Sequence, residues 1–355
     1  MSSTWGTNIE LTLFGESHGD AIGVVIGHLP AGLMLDYDEI ASEMKRRAPG
    51  QHSLTTSRKE ADCVKIISGV LNGVTTGAPL CAMIENTNQH SSDYDILKEV
   101  MRPSHSDYSA YVKYKGFNDV RGSGHFSGRL TAPLVFAGAI AKQILKQKGI
   151  YVGSHILSIQ DVCDHHFDVN ITKEDFDSLT DIPTLNKEVY ESMKDRIQSA
   201  KEQGDSVGGK IECAIINVPA GYGNPFFDSL ESHISSLMFS IPALKSISFG
   251  LSDDMTLLRG SEANDCYDYE GEKVKTSSNF NGGILGGISN GMPIVFHVGI
   301  KPTSSISKIQ KTINVKTQEN TTLQLQGRHD PCIVLRARVV VEAVAALSLL
   351  DMMGV

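Results

Sequence analysis

Residues 127–148 constrain the fold most. Leu134, Ala137, Ala141, Ile144 and Leu145 recur at helical spacing, Thr131 and Pro133 suit a helix start, and Gly149 is a natural stop. The helix is rich in small residues, with Ala132, Gly138 and Ala139 besides Ala137 and Ala141, so close helix–helix approach is expected. At the other end of the chain, Pro331–Met353 reads as a long apolar helix. A chain with two such helices must bury both, so the remaining elements are expected to cover them.

Those elements mix strands and helices. Asn8–Phe14, Ile22–Leu29, Val64–Leu71, Ala78–Glu85, Lys210–Val218 and Ile294–Ile300 read as strands, and Ile150 begins another. Asp36 reads as the cap of a helix that buries Ile40 and Met44 and ends at Arg46 and Arg47. Lys187–Gln203 is amphipathic, with Val189, Met193 and Ile197 on one side, and Leu230–Met238 is a further helix. Strand pairs with interleaved helices favour α+β layers over a doubly wound parallel sheet. Residues 161–185, rich in Asp, read as a surface insertion in one domain spanning 1–355.

At 355 residues, with hydrophobic residues at 41%, the chain is large enough for one substantial core. The net charge of −9 argues against a nucleic-acid protein, no apolar run reaches the roughly 20 residues of a membrane helix, and no secretory signal is visible. None of the six cysteines forms a Cys-x-x-Cys pair, so reduced thiols in a cytoplasm are expected and a cysteine zinc site is not.

Chemistry concentrates in short Gly- or Pro-marked loops. Gly15-Glu16-Ser17-His18-Gly19 places an imidazole at a tight turn after a strand, where it either delivers protons near neutral pH or bonds its own backbone. Arg102-Pro103-Ser104-His105 pairs a cation with a second imidazole. Gly122–Arg129 runs into a helix start, whose N–H groups and dipole favour an anion, and Arg129 adds a bidentate donor. It does not match the dinucleotide fingerprint. Asn281–Gly291 allows close backbone approach to a ligand, and Lys301–Ser305 offers a cation and three hydroxyls. Arg46 and Arg47 serve either as a solvated helix end or as ligand cations. In Arg328-His329-Asp330-Pro331, Asp330 as an N-cap with Pro331 at the first helical position is a complete structural explanation, so a chemical role must lean on the other loops. His165 and His166 are adjacent, which on a strand sends them to opposite faces, and no metal site is expected there.

Taken in order, GESHG at 15–19, MKRRAPG at 44–50, TTGAPL at 75–80, RPSHSDY at 102–108, GHFSGRLTAPLVFAGAIAKQ at 124–143, GGILGGISNG at 282–291, KPTSS at 301–305 and RHDPC at 328–332 resemble the chorismate synthase family over nearly the whole chain. The resemblance implies a β-α-β sandwich, with long central helices between two antiparallel sheets, assembled as a homotetramer. It implies anti-1,4-elimination of phosphate from 5-enolpyruvylshikimate 3-phosphate to give chorismate. It also implies reduced FMN as cofactor, with NADPH or a separate flavin reductase as the source of electrons.

By the same resemblance, His18 lies near the leaving phosphate, His105 near flavin N1 and the C2 carbonyl, and Asp330 near flavin N5. Substrate contacts fall on His18, Arg47, Arg102, Ser127, Arg129 and Arg328. FMN contacts fall on His125, Phe126, Ser127, Pro242, Ala243, Gly286, Lys301, Pro302, Thr303, Ser304, Ser305 and Arg328, and an NADPH contact on Arg47. Ser53 and His125 stand where many relatives carry Arg. Two rival readings are a metal-dependent phosphohydrolase using His18, His165, His166 and Asp330, and a non-catalytic module that binds a phosphorylated metabolite.

Overall fold

Alternation in the first hundred residues builds one sheet. In a computed structural model describing residues 3–50, 62–87, 96–179, 182–325 and 330–354, its strands are β1 (Thr4–Trp5), β2 (Glu10–Gly15), β3 (Ala21–Gly27), β4 (Val64–Ser68) and β7 (Leu80–Glu85). They lie in the order β1-β2-β3-β7-β4, every neighbour antiparallel. Ile22, Val24 and Ile26 pair with Ile84, Ala82 and Leu80, so the buried members of both strands share one face. The strand expected over Val64–Leu71 is broken at Gly69. There a φ of +85° turns the chain, and β5 (Val70–Leu71) pairs instead with β6 (Val74–Thr75).

The second sheet has the order β11-β16-β10-β8-β9, from β8 (Tyr151–Ile159), β9 (Val162–Cys163), β10 (Gly209–Ile216), β11 (Leu244–Phe249) and β16 (Ile294–Ile300). It too is antiparallel throughout. Ile211, Cys213 and Ile215 of β10 and Phe296 and Val298 of β16 face the main core, whereas Ala214 and Ile216 face outward, against Ile171, Phe167 and Phe176. The outer face is thus covered by part of the Asp-rich 161–185 stretch, which includes α4 (Lys173–Ser178). Hairpins β12–β13 (Tyr267–Glu270, Lys273–Thr276), β14–β15 (Ile284–Leu285, Ile288–Ser289) and β17–β18 (Gln310–Asn314, Glu319–Leu323) lie outside the two sheets.

Between the sheets run α3 (Thr131–Gln147) and α8 (Val334–Met353). The α8 helix is buried on every side, as a helix between a sheet and other helices must be. The expected close approach is met at Gly138, where an added Cβ would lie 2.3 Å from Ala343 Cβ and 2.5 Å from Ala343 Cα. Gly138→Ala should therefore separate α3 from α8 and destabilise the fold by about 1–3 kcal/mol, the usual cost of overpacking. Denaturant unfolding checks this, and a variant as stable as the parent would show that the two helices slip apart without penalty.

The remaining helices are α1 (Tyr37–Arg47), α2 (Asp107–Tyr114), α5 (Lys187–Glu202), α6 (Leu230–Met238) and α7 (Gly260–Ala263). Asp36 caps α1 as expected, its carboxylate accepting from Asp38 and Glu39 N–H at 3.0 Å each. The cap expected at Asp330 is not found. α8 begins at Val334 with Ile333 at the cap position, and the Asp330 carboxylate accepts from Arg336 Nη1 at 2.7 Å. Pro331 precedes the helix and is not its first residue. Asp351, near the far end of α8, accepts N–H bonds from Thr7, Asn8 and Ile9 at 2.9, 2.6 and 2.7 Å, which pins the start of β2 to the core.

Candidate active site

A cleft of about 630 Å³ opens where α3 and α8 begin and α1 ends. That volume suits a substrate together with a planar cofactor. Of the residues singled out in the sequence, it gathers His18, Arg47, Arg102, His105, His125, Phe126, Ser127, Arg129, Pro242, Ala243, Lys301, Pro302, Thr303, Ser304, Ser305 and Asp330. Arg328, His329 and Ser53 lie outside the described residues. Gly286, expected at the flavin, sits at the turn between β14 and β15 and does not line the cleft of this chain. The tight approaches at Gly282 and Gly283 are to the chain's own backbone, at Gly250 N and Pro293 O. His165 and His166 are also absent from the lining. The grouping required by the phosphohydrolase reading is therefore not formed.

The wall is strongly cationic. Among the described residues, Arg47, Arg102, Arg129, Lys245, Lys301 and Arg336 line it against one carboxylate, Asp330. Confined cations with low-dielectric walls hold an anion far better than the same charges in water. The two arginines ending α1 divide their tasks. Arg46 turns inward to Glu342, at 2.7 and 2.8 Å, within a network that includes Glu43 and Lys142. Arg47 turns into the cleft.

Arg47 is held there by Asp62, whose carboxylate also pairs with Arg129. Asp62 Oδ2 lies 2.7 Å from Arg47 Nη2, and the acid's side chain is wholly buried. One buried acid thus braces two guanidiniums that would otherwise repel each other. Arg129 Nε also donates to Asn86 Oδ1 at 3.2 Å. The Asn86 amide donates in turn to Glu16 O and Gly19 O at 3.0 and 2.9 Å, so it braces the loop that carries His18.

Arg102 is locked by Asp107. Its Nε and Nη2 donate to the two carboxylate oxygens at 2.8 Å each, a bidentate pair. His105 Nδ1 lies 2.6 Å from Asp107 Oδ1. The Arg102 and His105 hydrogen bonds hold the Asp107 carboxyl well below the usual range despite its burial. Asp107 is therefore an acceptor, so His105 Nδ1 carries the proton and Nε2 is the basic nitrogen. Burial lowers the His105 pKa, and Arg102 adds to that while Asp107 opposes it. Ser123 Oγ stands 3.3 Å from His105 Nε2 and accepts from Arg102 Nη2 at 3.1 Å.

The segment between the two imidazoles is itself unusual. Gly122, Ser123 and Gly124 have φ of +55°, +73° and +53°. This left-handed run brings Gly122 against the His18 ring and Ser123 against His105. Ser127 then caps the short turn leading into α3, its hydroxyl accepting from Arg129 N–H at 3.3 Å. His125 Nδ1 is 2.8 Å from Gly15 O, to which it donates, and its Nε2 lies 3.2 Å from Ser3 Oγ. Asp62, Asn86, Asp107, Ser123 and Arg336 were not foreseen as site residues. Asp107 lies within the motif that carries Arg102 and His105, and Arg336 is a charge within an apolar helix. Nothing local marks Asp62, whose partners are distant in sequence.

The model for the family described as "Chorismate synthase" matches residues 9–353. A chorismate synthase of Dehalococcoides mccartyi (strain BAV1) is 44% identical, with 99% of this chain and 96% of that protein covered. One from Methanobrevibacter smithii is 42% identical with the same coverage. A solved structure titled "Crystal Structure of Chorismate Synthase" superposes with a TM-score of 0.77 at 29% identity, covering 98% of this chain and 92% of that one.

Proposed function

Since this chain belongs to the chorismate synthase family, we propose that its cleft holds 5-enolpyruvylshikimate 3-phosphate against reduced FMN and eliminates phosphate to form chorismate. The observation that carries the reading is the meeting of three imidazoles, His18, His105 and His125, with one carboxylate and six cations in one cleft. A substrate with a phosphate and two carboxylates needs several cations, and an elimination needs groups that accept and deliver protons.

The lining fits a flavin. Phe126 offers an apolar face, the Ser127–Arg129 turn offers helix-start N–H groups, and Lys301–Ser305 offers a cation and hydroxyls for a phosphate tail. A reduced flavin held there would supply electron density to the elimination and regain it, with no net redox change.

This chain's own groups do the rest. Arg47, Arg129 and Arg336 bind the acidic groups of the substrate, with Asp62 and Asp330 keeping the guanidiniums in place. His18 delivers a proton to the departing phosphate. His105, with its Nδ1 proton fixed on Asp107, presents Nε2 to the flavin ring and holds or moves a proton there. Asp330 would accept a proton at its carboxylate, which lines the cleft. Arg102, clamped by Asp107 and bonded to Ser305 Oγ at 3.2 Å, tethers the 301–305 loop to the site. NADPH at Arg47, a partner reductase and a homotetramer belong to the same proposal.

Asp330→Asn tests the proton-accepting role, because it retains shape and removes the basic oxygen. Turnover should fall by about 10²-fold or more with FMN affinity changed far less, as read from anaerobic kinetics and flavin titration. Weakened flavin binding with unaltered turnover would leave Asp330 as a brace for Arg336 alone.

A further inference from the structure

Three adjacent strands of the second sheet place His155, Glu212 and His297 in one row. Glu212 pairs in register with His155 on one side and His297 on the other. All three point to the outer face, away from the main core. The segment after β9 folds over that face and adds His166. The Glu212 side chain is 1% exposed and receives imidazoles from three elements.

The two carboxylate oxygens are used differently. Oε2 takes His155 Nε2 and the Phe167 N–H, both at 2.7 Å. The far nitrogen of His155 lies 3.5 Å from Asp164 Oδ2. This side orients the carboxylate and is fully committed. Oε1 faces His166 Nδ1 at 2.7 Å and His297 Nε2 at 2.8 Å, with the two rings 5.0 Å apart between centroids. The ligand atoms of His166, Glu212 and His297 all lie within 4.8 Å of one another.

We propose that His166, Glu212 and His297 bind a first-row divalent cation, Zn²⁺ foremost, which clamps the segment after β9 onto the outer face of the second sheet. Zn²⁺ takes imidazole nitrogen at about 2.0–2.1 Å and carboxylate oxygen at about 2.0–2.2 Å, so two ligands of a tetrahedral ion stand roughly 3.3 Å apart. The contacts to Glu212 Oε1, at 2.7 and 2.8 Å, would each open by about half an ångström to admit the ion. Two nitrogens and one oxygen form a borderline donor set that suits Zn²⁺ and disfavours Mg²⁺ and Ca²⁺. His155 is a positioning residue that holds the carboxylate from its other oxygen, the arrangement by which outer partners tune metal ligands. The fourth position falls to water, since the His166 side chain is 60% exposed. No residue of the cluster lines the cleft, so the ion belongs to the architecture of the sheet and not to the elimination.

The test uses the full chain, stripped with a chelator, dialysed and titrated with Zn²⁺ by calorimetry. One Zn²⁺ per chain should bind, and His166→Ala and His297→Ala should each weaken it by about tenfold or more. His165→Ala and Cys163→Ser should leave it unchanged. Since His166 is exposed, His166→Ala reads binding without disturbing the fold, as circular dichroism checks. Co²⁺ in place of Zn²⁺ should show the visible absorption of a tetrahedral site in the parent and lose it in His166→Ala. Absence of stoichiometric Zn²⁺ uptake, uptake indifferent to both histidine substitutions, or uptake abolished by Cys163→Ser would each overturn the assignment.

Discussion

His18→Ala and His105→Ala should each lower turnover by on the order of 10²–10⁴-fold, the span usual for positioned acid–base groups. The two losses should differ in kind. His18 stands on a loop braced by Asn86 and faces Gly122, so its removal withdraws the proton that departs with phosphate. His105 is tied into the Arg102–Asp107 pair, and its removal strips the flavin side of a proton-bearing group. His18→Ala should therefore leave FMN affinity near that of the parent, while His105→Ala should weaken it. Anaerobic single-turnover kinetics separate chemistry from binding. Losses below threefold in both variants would remove these imidazoles from the mechanism.

Gly122→Ala should reduce turnover by about 10²-fold although it deletes no chemical group. An added Cβ would lie 1.9 Å from His18 Nδ1 and 2.8 Å from Ser17 Oγ, so the imidazole must move. A displacement of about 1 Å in a catalytic group is enough for such a loss. The backbone is also strained in the variant, because a φ of +55° is one that residues with a Cβ resist. The expected signature is a fall in kcat with a smaller change in KM. Gly260→Ala, where an added Cβ meets nothing within 4 Å, serves as the control. A Gly122→Ala enzyme with parental kcat would show that His18 does not need its present place.

Local pattern made much of this molecule legible. Helical spacing and small residues identified α3 and a close helix–helix approach though not its partner, and the Asp36 cap, Leu230–Met238 and Ile294–Ile300 match the structure at their ends. What was not legible depends on contacts between distant residues. The break at Gly69 follows from pairing with a second short strand, not from the apolar pattern of Val64–Leu71. Leu244–Phe249, with exposed and half-buried positions, carries little pattern of its own and is a strand because β16 supplies its partner. Asp330 satisfied every local rule for a cap, yet its carboxylate is drawn to Arg336 and the helix starts later.

The same division runs through the site. Most described residues of the named motifs meet in the cleft, Gly286 excepted, because the motifs sit at the ends of rigid elements. Their counter-ions did not announce themselves. Asp62 joins Arg47 to Arg129 across 67 residues in one direction, and no spacing rule reaches so far. His166 was set aside because adjacent strand residues face apart, but it does not lie in a strand. It meets Glu212 and His297 because the segment folds back over the sheet.

The most direct test of the account is an anaerobic assay with photoreduced FMN and 5-enolpyruvylshikimate 3-phosphate, following chorismate by absorbance and phosphate in the same samples. Chorismate and phosphate should appear in equal amounts, with the flavin still reduced at the end. Activity there, but none with NADPH and oxidised FMN, would assign flavin reduction to a separate reductase. Phosphate released without chorismate, or released equally well when no flavin is present, would contradict the assignment of this cleft.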